Sequence, residues 1–359
     1  MKIGFVNFTP LVYSVNTPYN EPLGGSESAL CYLTEALAKR GHEVILFGRM
    51  LGSFTSRKVI HKPDNDLKNE QWQDLDFLII QNTPYYGIGL KTVLGDKTKL
   101  VFWSQHAPDQ PAVQSLRDSR ILAAYDAIVM ISSAQMEGYI REFGIDREKC
   151  FILRNAISPA FENLFEKEEN ILSEKSRIPV LVYTSTPFRG LGLLIKLFPQ
   201  IRQEVPGTIL KVFSSMKVYQ TPKESDEKDY GQLYRLCQRT EGVEYVSSVS
   251  QTKLAKDLKR VLIFSYPNTF PETSCICAME AMAAGCQVIT SDLGALPETT
   301  AGFAKLIPMD SNYNQNFVDA TVTALKNPTN TNKQVAFVKT NYTWKKRAIE
   351  WERWLKDLI

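Results

Sequence analysis

The chain has few of the residues that carry metal and redox chemistry. Of its 359 residues three are histidine and six are cysteine, the latter being Cys31, Cys150, Cys237, Cys275, Cys277 and Cys286. No Cys-x-x-Cys pair occurs, so a zinc site is not expected and the thiols read as reduced and mostly buried. Long apolar runs are missing too. No stretch approaches the ~20 residues of a membrane span, and the opening Met1-Lys-Ile-Gly-Phe-Val-Asn-Phe8 reads as a strand and not as a secretory signal. A cytoplasmic protein with at most peripheral membrane contact is expected. Nor does one sign of charge dominate. The 42 Lys and Arg stand against 39 Asp and Glu, and residues 1–160 hold 17 of each kind. A basic half would point to nucleic acid, and this balance gives that partner no support.

What is present is a regular alternation of apolar strand-like runs and helical stretches. In the first half strands are expected at 2–7, 43–47, 77–81, 100–104, 127–131 and 150–153, with helices at 26–40, 118–124 and 133–143. Between Ser158 and Arg177 the chain is charged and aperiodic (Glu162, Glu166, Lys167, Glu168, Glu169, Glu174, Lys175), which suggests a linker. The alternation then restarts, with strands at 180–184, 209–214, 243–246 and 262–266 and helices at 191–201, 230–239 and 251–259. The expected class is α/β: two Rossmann-like doubly wound domains facing across a cleft, with a C-terminal helix crossing back to the first. The divisions are 1–160 (with 342–359 packing back on it), a linker at 161–177, and 178–341.

Glu272 and Glu280 lie eight positions apart in a loop that turns into a nearly all-apolar helix, between the runs Val261-Leu-Ile-Phe-Ser-Tyr-Pro and Val288-Ile-Thr. A charge on a buried helix needs a partner. Thr273, Ser274, Cys275 and Ile276 would supply helix-start amides for an anion, and Glu280 follows about two turns on. Phosphate at the helix start and hydroxyls near the carboxylates together suggest a nucleotide sugar.

Other candidates sit at expected strand ends. Gly24 and Gly25 open the first long helix, with Ser26 suited to its N-cap, and let a ligand approach the backbone. His106 follows the strand at 100–104. Arg189, in Ser185-Thr-Pro-Phe-Arg-Gly190, could bind a diphosphate with two parallel hydrogen bonds. Asp74-Leu-Asp76 matches an Asp-x-Asp metal pattern but precedes its strand, opposite the ligand-binding end, so no metal is expected there. Asn155 reads as a hinge or cap.

The Gly24-Gly25 loop, the helix ending Leu-Ala-Lys-Arg-Gly-His-Glu-Val44, Arg154-Asn-Ala-Ile, the Glu272/Glu280 spacing before Ala-Met-Ala-Ala-Gly285, and Gly294-Ala-Leu-Pro-Glu298 together resemble family 4 of the retaining nucleotide-sugar glycosyltransferases, of GT-B fold. The resemblance spans nearly the whole chain. It implies that Glu272 contacts the donor sugar, Glu280 the ribose, residues 273–276 with Gly24 and Gly25 the diphosphate, and Val249 the base, with His106 as the active-site histidine. In one place the chain departs from the family. Tyr183-Thr184 stands where Gly-Arg is usual and Arg189-Gly190 where Lys-Gly is usual, leaving Arg189 alone or with a substitute such as Lys217.

The activity implied is transfer of a sugar from a nucleotide-diphosphate donor, UDP favoured over GDP, to a hydroxyl of a glycan, protein or small molecule. It would proceed with retention and without a metal or other cofactor. An epimerase or hydrolase on the same frame, or a donor-binding module without turnover, are the alternatives.

Overall fold

The central strands are unbroken apolar runs, the pattern of parallel strands buried on both faces. In the computed structural model, which describes residues 1–68, 74–166 and 170–359, they form two sheets in two compact units. The first unit comprises Met1–Thr17, Gly25–Asn155 and Trp344–Ile359, and the second Pro18–Gly24 and Ala156–Thr343.

The first unit holds β1 (Lys2–Asn7), β2 (Glu43–Gly48), β3 (Phe54–Ser56), β4 (Val59–Pro63), β5 (Phe77–Gln81), β6 (Lys99–Trp103), β7 (Ala127–Met130) and β8 (Cys150–Ile152), in the order β3-β4-β2-β1-β5-β6-β7-β8. All neighbours are parallel except β3 with β4. Helix Gly25–Lys39 buries Leu30, Leu33 and Leu37, and the closing helix Trp344–Leu358 packs on it, burying Trp351 and Leu355. The second unit holds β9 (Val180–Tyr183), β10 (Ile209–Val212), β11 (Val243–Tyr245), β12 (Ile263–Tyr266), β13 (Gln287–Ser291) and β14 (Lys305–Ile307), all parallel, in the order β11-β10-β9-β12-β13-β14. Its core joins Leu181, Val182, Phe198, Phe264 and Met279.

Each sheet reverses its direction of winding once. In the first unit β1 leads outward to β2, and the chain later returns on the other side of β1 as β5. In the second, β9 leads to β10 and β11, and β12 returns on its other side. The β1/β5 and β9/β12 boundaries are therefore the topological switch points, where open α/β sheets leave a crevice at their carboxyl ends.

The structure corrects several expectations. The hairpin β3–β4 was not anticipated, because its two-residue turn is Arg57-Lys58, both at positive φ (48° and 67°), where Asn-Gly is the usual signal. Arg57 is held there by Glu35 Oε1 (3.1 Å) and Asn16 Oδ1 (2.7 Å). Part of the expected linker is packed core. Phe161, Phe165, Ile171 and Lys175 are buried, and Lys175 Nζ donates to the Ala284 carbonyl at 2.6 Å. Apolar anchors spaced through a charged run carry no periodicity, which is why the run looked unstructured; Lys167, Glu168 and Glu169 lie outside the described residues. Gly285, at φ +71°, leaves no room for a Cβ beside Ile171. Residues 18–24 and 156–160, expected in the first domain, belong to the second unit, so the glycine pair is divided between them. Gly25 is already helical, which places Ser26 inside the first turn and not at the N-cap.

Candidate active site

The second unit's switch point carries a buried charged pair. Arg189 follows β9 and Glu272 follows β12. Arg189 Nη1 donates to both carboxylate oxygens of Glu272 at 3.2 Å, and the Tyr266 hydroxyl donates to Oε1 at 2.5 Å. The Glu272 side chain is 3% exposed. The guanidinium lies over the Phe270 and Phe188 rings, at 4.8 and 5.5 Å from their centroids. Burial works against its charge, but Glu272, Tyr219 and Tyr266 outweigh it and hold its pKa above the usual arginine value. Burial, with Glu272 adding to it, raises the Tyr266 phenol well above its ordinary range. Arg189 Nε has no protein partner among the described residues.

Two glycines hold this pair in place. Gly190 sits at φ +119°, and a Cβ there would stand 2.3 Å from the Pro267 carbonyl oxygen. Gly294 is at φ +60°, and a Cβ there would stand equally close to the Glu272 carbonyl oxygen, which accepts from Ala295 N at 2.7 Å.

The helix Ile276–Ala283 begins directly after. Its N-cap is Cys275, whose φ of 60° and ψ of 68° are left-handed. A left-handed residue running into a helix turns successive amides toward one point, the geometry of an anion-binding nest. Thr273 and Ser274 therefore stand in the turn before the helix, and Ser274 Oγ is buried without a protein partner among the described residues. Cys275 and Cys277 bring their sulfurs to 3.5 Å.

Glu280 is equally buried but differently held. Its Oε1 accepts from Ser158 N at 3.1 Å, and the Gln251 side chain is its other partner. Burial raises its carboxyl to about 8, so it is mostly protonated at neutral pH. Gln251 opens helix Gln251–Leu258, and Val249, two residues earlier, packs on the second unit's core. Lys217 lies in the turn Met216–Tyr219 with its amide donating to Ser215 Oγ at 3.3 Å. Tyr219 of that turn is among the groups that raise Arg189.

In the first unit, His106 follows β6, and its carbonyl accepts from Gln135 Nε2 (2.7 Å) and Tyr139 Oη (3.0 Å), which fixes the backbone that carries the imidazole. Asn155 is paired amide to amide with Gln105 (2.7 and 3.1 Å). Beside Gly25, Glu27 was not singled out from the sequence although it stands three residues after Gly24. It is buried on the first turn of its helix, accepts from Asn7 Nδ2 at 3.4 Å, and is raised from the usual carboxylate pKa by burial. The Asp74 and Asp76 carboxylates are occupied by Lys2, through its ammonium (2.5 Å) and its backbone amide (2.7 Å). Among the described residues, no cluster of three or more His, Cys, Asp or Glu side chains is placed to hold a metal, and no helix is long and apolar enough to cross a membrane. Tyr266, missed from the sequence, could have been found as the polar residue ending the strand before Glu272.

The model of the family described as glycosyl transferases group 1 matches residues 163–344, just over half of the chain and nearly all of the second unit. No curated protein matches the chain by sequence. Solved structures match along the whole length. Sucrose-phosphate synthase from Thermosynechococcus elongatus is 16% identical, covering 100% of this chain and 99% of its own, with a TM-score of 0.70. HepE from Anabaena, solved with UDP and glucose, is 15% identical, covering 99% and 100%, with a TM-score of 0.70. A glycosyltransferase from Rickettsia africae is 12% identical, covering 99% and 98%, with a TM-score of 0.68. The fold is GT-B.

Proposed function

Because the chain belongs to the group 1 glycosyl transferases, we propose that it moves a sugar from a nucleoside diphosphate, uridine favoured, to an acceptor hydroxyl with retention at the anomeric carbon, without a metal. The observation that carries this reading is the Arg189–Glu272 pair at the second unit's switch point, beside the nest opened by Cys275. A diphosphate carries the charge that such a nest and a guanidinium attract. Arg189 spends only Nη1 on Glu272, which leaves other donors of its fork for phosphate oxygens. The anchored carboxylate of Glu272 then faces sugar hydroxyls, Glu280 the ribose, and residues near Val249 the base. Gly24 and Gly25 are assigned to the diphosphate and His106 is the active-site histidine, with Arg189 acting alone or with a substitute such as Lys217. The similar structure of HepE was also solved with UDP-glucose, which supports the choice of base.

In the reaction, the acceptor oxygen bonds to the anomeric carbon on the face from which the diphosphate oxygen departs. The acceptor's proton passes to that leaving oxygen, giving a glycoside and a nucleoside diphosphate. Negative charge grows on the diphosphate as the bond breaks, and Arg189 with the helix-start amides stabilises it there.

The test is Glu272→Gln. Turnover of UDP-glucose should fall at least ~100-fold, about 2.7 kcal/mol of transition-state stabilisation, while nucleotide still binds. Unchanged turnover would remove Glu272 from the chemistry. A product anomer inverted by NMR would end the retaining assignment, and loss of activity in a chelator would end the metal-independent one.

A further inference from the structure

Two thiols stand at the opening of the second unit's nest. Cys275 is the N-cap of the helix Ile276–Ala283, and Cys277 is the helix's second residue. In a regular helix, residues two apart do not face each other. Here Cys275 is left-handed, at φ 60°, and the two sulfurs meet at 3.5 Å. That conformation costs a residue with a Cβ about 1–2 kcal/mol, at a position where glycine would stand without strain. The remaining cysteines are buried elsewhere: Cys31 and Cys150 belong to the first unit, and Cys237 and Cys286 lie outside this helix in the second.

The two thiols differ in their surroundings. Cys275 is 5% exposed, and burial, with the Cys277 contact and Glu272 adding to it, holds its thiol well above the ordinary range. Cys277 is only half-buried. It also stands within electrostatic reach of Arg189: burial works against the guanidinium's charge, and Cys277 joins Glu272, Tyr219 and Tyr266 in raising it. Cys277 is therefore the sulfur that a small oxidant meets, and Cys275 is a neutral thiol held beside it. An accessible thiol near a cation, with a second thiol in contact, is the arrangement of a redox-sensing pair.

We infer that Cys275 and Cys277 form a reversible redox switch: hydrogen peroxide joins them in a disulfide, which deforms the nest and releases the nucleotide, and a dithiol reopens it. The inference rests on the donor reading of this site and adds its regulation. In the first step the Cys277 sulfur attacks a peroxide oxygen and the O–O bond breaks. The departing hydroxide takes up the thiol proton as water, leaving Cys277 as a sulfenic acid. The Cys275 sulfur then attacks the sulfenic sulfur, the S–S bond forms as the S–O bond breaks, and the hydroxyl leaves with the Cys275 proton as a second water. The two thiols give up two electrons and two protons, and peroxide is reduced to water.

The bond acts on the nest because it ties together the residues whose amides open it. Drawing the sulfurs from 3.5 Å to bonding distance pulls on the backbone of Cys275 and Ile276 and turns their amides away from a common point. The turn before them cannot follow, since Gly294 already packs its backbone against Glu272. Nor can the helix behind them, whose Ala278, Met279, Ala281 and Met282 are buried. The change therefore falls on the helix start. A disulfide across so short a loop is strained, and strained disulfides are the readily reduced ones.

The test treats the full-length protein with stoichiometric hydrogen peroxide and compares it with the same protein kept in dithiothreitol. Mass spectrometry should show the loss of two hydrogens, and fragmentation should place the bond between Cys275 and Cys277. Calorimetry should show UDP bound at least tenfold more weakly after peroxide, with affinity restored by dithiothreitol. Cys277→Ser should bind UDP as the reduced parent does and keep that affinity in peroxide. A Cys277 that gains oxygen without losing hydrogen, or a bond made to Cys286, overturns the pair. A Cys275–Cys277 bond that leaves UDP affinity unchanged, or equal peroxide sensitivity in Cys277→Ser, overturns the switch. Reduced parent that binds UDP but forms no such bond fails only here, whereas reduced parent that binds no UDP fails the donor reading beneath it.

Discussion

The two switch points share a topology and differ in chemistry. In the second unit the crevice residues are Arg189 and Glu272, a charge pair desolvated by Phe270, Phe188 and Tyr266. In the first they are Phe8, Tyr85, Tyr86 and the amides of Asn7 and Gln81, with Glu27 the ionisable group beside them and its carboxyl raised by burial. Equivalent places in similar sheets thus carry a buried charge pair in one unit and a cluster of aromatic rings in the other. The backbone decides where the strand ends open, and the strand-end loops decide the charge that stands there.

The largest effect expected is on the charged side. Arg189→Met leaves Glu272 buried without its cation, and chemical denaturation should show a loss of about 3–5 kcal/mol, together with loss of UDP-sugar binding by calorimetry. The counterpart in the first unit is Glu27→Gln. That variant should lose less stability than Arg189→Met, because its amide keeps an oxygen to accept from Asn7 Nδ2 and strands no buried cation.

The loops should differ next. Gly190→Ala combines a left-handed φ with backbone contact at 2.3 Å, and about 3 kcal/mol of destabilisation is expected. Gly87→Ala meets only the Tyr125 ring, at an ordinary helical φ of −55°, so about 1–2 kcal/mol is expected. Equal melting temperatures for the two variants would remove the claim that the charged crevice is the more tightly constrained.

A pH-dependent effect separates the two glutamates of the second unit. Glu280 titrates near 8 in the folded chain against an ordinary value of 4.5, burial being the cause. The folded state therefore holds a proton that the unfolded chain has released. This stability is fully present below about pH 4.5 and is lost as pH rises through 8, at up to about 1.4 kcal/mol per pH unit. Relative to the parent, Glu280→Gln should gain stability as pH is raised from 5 to 8 in thermal melts. A parent-to-variant difference that stays constant across that range would show the carboxyl to be ionised throughout.

Much of this was legible along the chain. The parallel strands were readable because residues buried on both faces leave unbroken apolar runs, as in β5 (Phe77–Gln81) and β9 (Val180–Tyr183). Glu280 stood out because a carboxylate is improbable in so apolar a helix, and Glu272 because it stands in the loop that turns into that helix. The hairpin turn at Arg57-Lys58 was not legible, since its positive φ angles are imposed by Glu35 and Asn16, residues 22 and 41 positions away. The packing of the expected linker depended likewise on Gly285 and Ala284, more than a hundred residues on.

By itself the sequence determined the α/β class, the places where strands end and the residue types that stand there, because these follow from local periodicity and chemistry. Tertiary structure alone decided that Arg189 is neutralised by Glu272, that Glu280 is held by Ser158 and mostly protonated, and that Phe8 meets Tyr86. Those outcomes depend on strand order and burial, which bring together groups that no local spacing relates.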